Sequence, residues 1–501
     1  MVVMKIREVT SEHRSPGFHW PWLYRAVIGS LCLILIPVGA KAQSPNTSQE
    51  VEQLRQTVQL LEARVAALET EVNGHKTGTA AATNAEGTET AASLSTAVAA
   101  LRTQGDAPAA SSTSPVPPAS STASAPLPGT LPGGITLNYL FDGYYEYNYN
   151  HPIGQVNELR AYDVSSNSFS INQADVVIDM EPDVTAKRRY GARLDLMFGQ
   201  ATETLQGSAA NELRPQVWRN VFQAYGSYIF PAGTGLRVDF GKFASALGAE
   251  GNYTKDQINY TRSYLFNFLP FYHMGFRASY DVTPKVNVTG WLVNGTEQTE
   301  DFNGFKSIGL ITTLKPTSSL TWNVNYYTGQ EQRAVVANTS TAVPPIPIQP
   351  GQPLENVSPT PNGREHIFDT YATWNINQRW TAAGEADYLI SRVYSEGPPS
   401  HADAGAVYLK YQWTPKLYLA ARSEYVADPN GFFSTASQDL KEGTATLQYQ
   451  FSDGFATYLE YRRDWSNRNF FLTSQPGVLI GHQDTTALGM VWWYGGKQGS
   501  W

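Results

Sequence analysis

The chain has 501 residues with 36 basic and 44 acidic side chains, a formal net charge of −8. That balance, with no basic stripe, argues against a nucleic-acid partner. The single cysteine, Cys32, excludes a disulfide framework and thiolate metal sites.

Lys5, Arg7, Arg14 and Arg25 precede an apolar run at 26–37, followed by Ala40-Lys41-Ala42. This reads as a cleaved signal peptide over 1–42; the run is too short for a comfortable membrane anchor. Cys32 lies within it behind Leu31, where a lipoprotein signal wants a small residue. Losing 1–42, which carries five basic and two acidic residues, takes the net charge from −8 to −11.

Val51, Leu54, Val58, Leu61, Val65, Leu68 and Val72 keep strict a/d heptad spacing, and Arg64 and Glu69 occupy g and e. The spacing predicts a periplasmic coiled coil within 43–73, favoured over an amphipathic helix because its polar flanks offer nothing to pack on. Three heptads are marginal alone, so a larger domain must gather the chains. Residues 74–133 are rich in Ala, Ser, Thr, Pro and Gly and bury too little to order themselves. They read as a linker, with a glycosylated stalk as the weaker alternative.

From Ile135 to Trp493 apolar and polar residues alternate in about sixteen segments. In one, Leu320, Trp322, Val324 and Tyr326 alternate with Thr321, Asn323 and Asn325; in another, Tyr190, Ala192, Leu194 and Leu196 alternate with Arg193 and Asp195. The joints are short at 181–189, 231–235, 281–285, 315–319, 377–379, 414–416 and 452–454, and longer between, as at 199–220, 244–273, 330–365 and 465–483. Tight turns alternating with long loops predict an all-β fold, a transmembrane antiparallel β-barrel over 134–501. Aromatic residues at strand ends (Tyr228, Phe230, Tyr425, Trp492 to Tyr494) suit interfacial girdles, which places the apolar face against lipid. Near Ala174 the alternation changes phase: Phe169 and Ile171 do not match Val176 and Ile178, which predicts a bulge.

"NVFQAYGSYIFPAGTGLRVDFGKFASALGAE" from Asn220, and "INYTRSYLFNFLPFYHMGFRASYDVTPKVNVTGWLVNG" ending at Gly295, resemble the OmpL-like beta-barrel porin family. The combination Gly241-Lys242-Phe243, Leu247-Gly248-Ala249-Glu250 and Arg262-Ser263-Tyr264-Leu265-Phe266 carries the likeness, which spans roughly Gly134 to Tyr494. It implies an outer-membrane porin and no particular solute. The C-terminus departs from the usual barrel ending: 495–500 follow Tyr494 before Trp501, and either aromatic could serve as the insertion signal.

By parity Arg193, Asp195, Arg237, Asp239, Arg277, Glu385, Asp387, Arg422, Glu424, Glu460 and Arg462 point inward. They could set a transverse field across a pore or stiffen the wall as cross-strand ion pairs. The third outer loop, 244–273, is the candidate constriction, with Glu250, Lys255, Asp256 and Arg262; the alternative is an ordinary external loop. No cofactor or metal is expected, because the histidines are scattered and no HExxH or G-x-S-x-G motif occurs. The expected partners are outer-membrane lipid, small solutes or ions, and further copies of the chain, with a trimer favoured. A lumen-plugged anchoring or surface-display barrel is the alternative, and a barrel-wall hydrolase a remoter one.

Overall fold

The computed structural model describes residues 129–206, 212, 214–333, 361–497 and 500–501. The signal, the heptad segment, most of the linker and the Pro-rich part of the fifth long loop lie outside the described residues.

Sixteen long strands form the wall: β1 (Ile135–Asn148), β2 (Ser168–Met180), β3 (Tyr190–Phe198), β4 (Val221–Phe230), β5 (Leu236–Ala244), β6 (Tyr272–Thr283), β7 (Val286–Val293) and β8 (Ser307–Thr317). The second half comprises β9 (Leu320–Gly329), β10 (Glu365–Asn375), β11 (Trp380–Ser391), β12 (Ser400–Thr414), β13 (Leu417–Asp428), β14 (Gln438–Ser452), β15 (Phe455–Ser466) and β16 (His482–Gly495). Each pairs antiparallel with the next, and β16 closes on β1 through a register running from Thr485↔Asn148 to Gly495↔Asn138. Closure satisfies the backbone of every wall strand without leaving an edge, as a sheet in lipid requires.

Seven connections gather at the end where both chain termini of the barrel lie, six of them only 2–5 residues long between strands. At 181–189 an extra bridge, Asp183↔Arg188, pinches the longest of the seven. The eight long connections emerge at the other end, at 149–167 (L1), 199–220 (L2), 245–271 (L3), 294–306 (L4), 330–364 (L5), 392–399 (L6), 429–437 (L7) and 467–481 (L8). The bulge expected near Ala174 sits at Asn172: Asp142 faces Gln173, then Gly143 faces Ile171. The extra residue lets Phe169 and Ile171 share the outer face with Ile178, and all three are exposed.

The alternation sorts side chains onto two faces. Outward lie Leu194, Phe240, Leu292, Ile308, Leu310, Phe368, Val407, Leu447, Leu459 and Leu488, all exposed. Leaving such a side chain in water forfeits about 1.5–3 kcal/mol each, so this band requires hydrocarbon around it. Near the turn end Tyr228, Phe230, Trp374, Trp380, Trp413, Phe451, Trp492 and Tyr494 ring the barrel. Phe451, Phe455 and Trp492 stack in sequence there, with centroids 5.1 and 4.6 Å apart. Inward the same strands carry Asn138, Asp142, Glu146, Arg422, Glu424, Glu460 and Arg462, all buried inside the cylinder.

Candidate functional site

A loop inside a barrel carries backbone N–H groups that need acceptors, and the inner wall supplies carboxylates. L3 turns into the lumen, where five of its N–H groups meet those acids. Gly248 N donates to Asp369 Oδ2 and Ala249 N to Glu385 Oε1, both at 3.0 Å. Tyr260 N and Thr261 N share the Glu460 carboxylate at 2.7 and 3.0 Å, and Tyr264 N donates to Glu424 at 2.7 Å. Hydroxyls extend the set: Thr254 and Tyr260 donate to Asp142 at 2.6 and 2.8 Å, Tyr264 to Asp464 at 2.7 Å, and Tyr253 to Asp195. These acceptors lie on β1, β3, β10, β11, β13 and β15, so L3 spans the lumen. Charge-assisted bonds of this kind are about twice as strong as neutral ones.

Small wall residues make room for the loop. Ala420, Ala456 and Ala487 pack with Tyr260 and Tyr253 in one buried cluster. A Cβ on Gly489 would lie 2.3 Å from the Tyr260 ring, so only glycine admits this side chain. Ser263 caps the short helix Tyr264–Phe268 by accepting from Phe266 N at 2.9 Å, which turns the chain back towards β6. L1 also dips inward. Its Arg160 pairs with Asp464 and Asp163 at 2.7 Å, and Tyr162 donates to Asn252 of L3.

The four L3 charges singled out from sequence have different surroundings. Glu250 accepts from Ser263 N at 2.7 Å and pairs with Arg422 at 2.9 Å. Lys255 pairs with Asp256 at 2.8 Å and lies 4.6 Å from the centroid of the Trp501 ring. Asp256 accepts from Trp501 N at 3.0 Å. Arg262 is buried and turned into its own loop, donating to the carbonyls of Gly251, Tyr260 and Asn252 at 2.8–3.0 Å. It braces L3. Burial lowers the Lys255 ammonium from its ordinary value, against the opposing pull of Asp256. Burial, reinforced by Asp195, Asp142 and Asp464 respectively, holds the Tyr253, Tyr260 and Tyr264 hydroxyls well above theirs, keeping them neutral donors.

All eleven wall residues named by parity face the lumen, in clusters. Arg193 meets Asp195 at 3.5 Å, and Asp239 lies between Arg237 at 2.8 Å and Arg277 at 2.7 Å. Arg422 pairs with Glu424 at 3.0 Å and Arg462 with Asp464 at 2.9 Å. Glu385 and Glu460 serve L3, while Asp387 stands beside Asp369. The same parity would have found Asp142, Asp369, Glu442 and Asp464, which the sequence reading passed over. Tyr253, Tyr260, Gly489 and Trp501 carry no local signal of lying inside a barrel.

The two aromatic candidates at the C-terminus separate. Tyr494 ends β16 on the outer face and is exposed, whereas Trp501 lies edge-on to Tyr253 at 5.7 Å. Lys497 pairs with Asp179 and, at 3.5 Å, with Glu181.

No curated protein matches the chain in sequence. Solved structures similar in fold include Vibrio cholerae OmpT, an outer membrane protein, at 11% identity and TM-score 0.43, covering 72% of this chain and 97% of that one. An anion-selective porin from Comamonas acidovorans aligns at 9% identity and TM-score 0.47 over 72% and 99% of the two chains. The outer membrane channel DcaP of Acinetobacter baumannii aligns at 9% and 0.46 over 72% and 97%. Residues 134–491 match the family described as "Putative beta-barrel porin-2, OmpL-like", and the chain, a closed outer-membrane β-barrel with a loop folded into its bore, belongs to that family.

Proposed function

We propose that the protein is a passive diffusion channel for small polar solutes or ions, narrowed by L3. The observation that carries this reading is the sorting of the wall: hydrocarbon-compatible outside, charged inside. L3 is held against β10, β11, β13, β15, β1 and β3, which favours a path along β4–β8. Tyr225, Arg237, Arg277, Asn287 and Thr313 are half-buried there. Asp239 beside them is buried between its two arginines and Arg237 also pairs with Glu181 at 2.8 Å, so Arg277 is the cation left facing a passing solute. An excess of accessible positive charge raises the local anion concentration.

Reversal potentials under a KCl gradient test this. An anion preference is expected, and Arg237→Glu with Arg277→Glu should reduce or invert it. An unchanged preference in the correctly folded double variant would remove the path from this wall.

The heptad segment supports a homo-oligomer, with three chains gathered by their barrels. Cross-linking of full-length protein against a chain lacking 43–73 reads its contribution. The plugged anchor is the second reading, favoured by the L1–L3 interlock and by Trp501 against L3.

A further inference from the structure

Asp369 on β10 stands directly opposite Asp387 on β11, and Glu385 is the next inward residue beside Asp387. One oxygen from each carboxylate can be chosen so that the three lie within 4.8 Å of one another, and all three side chains are buried. Like charges placed opposite on neighbouring strands repel, and removing carboxylates from water is costly unless a counter-charge accompanies them. Elsewhere on this wall Asp239, Glu424 and Asp464 sit against arginines. Among the described residues these three carboxylates have no cationic partner.

Hydrogen-bond donors reach only part of the cluster. Asp369 Oδ2 accepts from Gly248 N at 3.0 Å and Asn325 Nδ2 at 2.7 Å; Glu385 Oε1 accepts from Ala249 N at 3.0 Å. Asp369 Oδ1 and both oxygens of Asp387 are buried with no hydrogen-bond partner. Asp387 is 4% exposed, and its whole carboxylate is unused beside the other two.

We propose that Asp369, Glu385 and Asp387 bind one hard divalent cation, with calcium the best fit. The donors are all oxygen, which favours calcium or magnesium over softer metals. Calcium accepts six to eight oxygens at about 2.3–2.6 Å in flexible geometry, as three carboxylates fixed on rigid strands require, whereas magnesium demands a near-ideal octahedron. Water would complete the shell from the lumen. Two of the ligands also hold the N–H groups of Gly248 and Ala249, so the ion would fix the point where L3 enters the bore. The site does not depend on conduction, and its test separates from that of the channel.

The test uses mature protein refolded in detergent without lipopolysaccharide and stripped with EGTA. Calorimetric titration with calcium chloride alone should show one site per chain, and calcium should raise the temperature at which the barrel unfolds on heating in SDS. Asp387→Asn removes a carboxylate that holds nothing else. It should weaken binding about tenfold or more and leave the barrel folded, with a melting temperature indifferent to calcium and above that of the stripped wild type. Glu396→Gln, at an exposed position in L6, should bind as wild type. Equal weak binding by wild type and Asp387→Asn would overturn the site. So would a wild type that ignores calcium and is stabilised only by acid, which would mean that the carboxylates share protons instead.

Discussion

At Gly489 the absence of one methyl group decides how the loop meets the wall, because the Tyr260 ring occupies the space a Cβ would need. Gly489→Val should expel that ring and break its 2.8 Å bond to Asp142. The loss is about 1.5–3 kcal/mol for a hydrogen bond to a charged acceptor, with the overpacking strain added. The barrel should still form, and single-channel recordings should show noisier current; a quiet, wild-type trace would mean that Tyr260 does not hold L3. Arg262 makes a complementary case. Its fork of donors serves three carbonyls at once, a geometry that lysine's single ammonium cannot reproduce. Arg262→Lys should therefore speed proteolytic cleavage within 251–262 while leaving heat-modifiability of the barrel unchanged. Inward-facing charges were legible from parity alone, because a strand's period of two needs only the local sequence. What each does was not: Arg262 resembles a bore charge in sequence, and only the fold shows that its partners are carbonyls of its own loop.

L3 and the C-terminal tail show the same division among elements. The strands and their turns could be placed from alternation, and the Asn172 bulge was visible as a change of phase. The path of L3 depends on partners more than a hundred residues away, Asp369, Glu424 and Glu460 among them, so no window of sequence contains it. Glu460 accepts from two loop N–H groups and also from the hydroxyls of Thr261 and Thr446, at 2.5 and 2.6 Å. Glu460→Gln keeps its shape but removes the charge from those bonds, and should loosen the loop by about 1–3 kcal/mol, read as faster hydrogen exchange over 258–264. The tail is a second restraint, since Trp501 meets Tyr253, Lys255 and Asp256 together. Removing 500–501 should leave assembly intact, because Tyr494 already ends the last strand on the outer face, and should increase current fluctuations. Failure of the truncated chain to insert would assign the insertion signal to Trp501 instead.

For the molecule as a whole, composition alone says little: an acidic chain with one cysteine suits many folds. The membrane fold was legible because two independent regularities agree, the alternation within strands and the alternation of short and long connections between them. Closure of β16 on β1 then converts a sheet into a cylinder with no unpaired edge in lipid. Oligomer number and solute range were not legible, since both depend on surfaces and widths that periodicity does not encode. Bilayer conductance of the refolded chain tests the channel most directly. Stable, discrete open steps with a preference for anions are the predicted result; a barrel shown to be inserted yet electrically silent would contradict it.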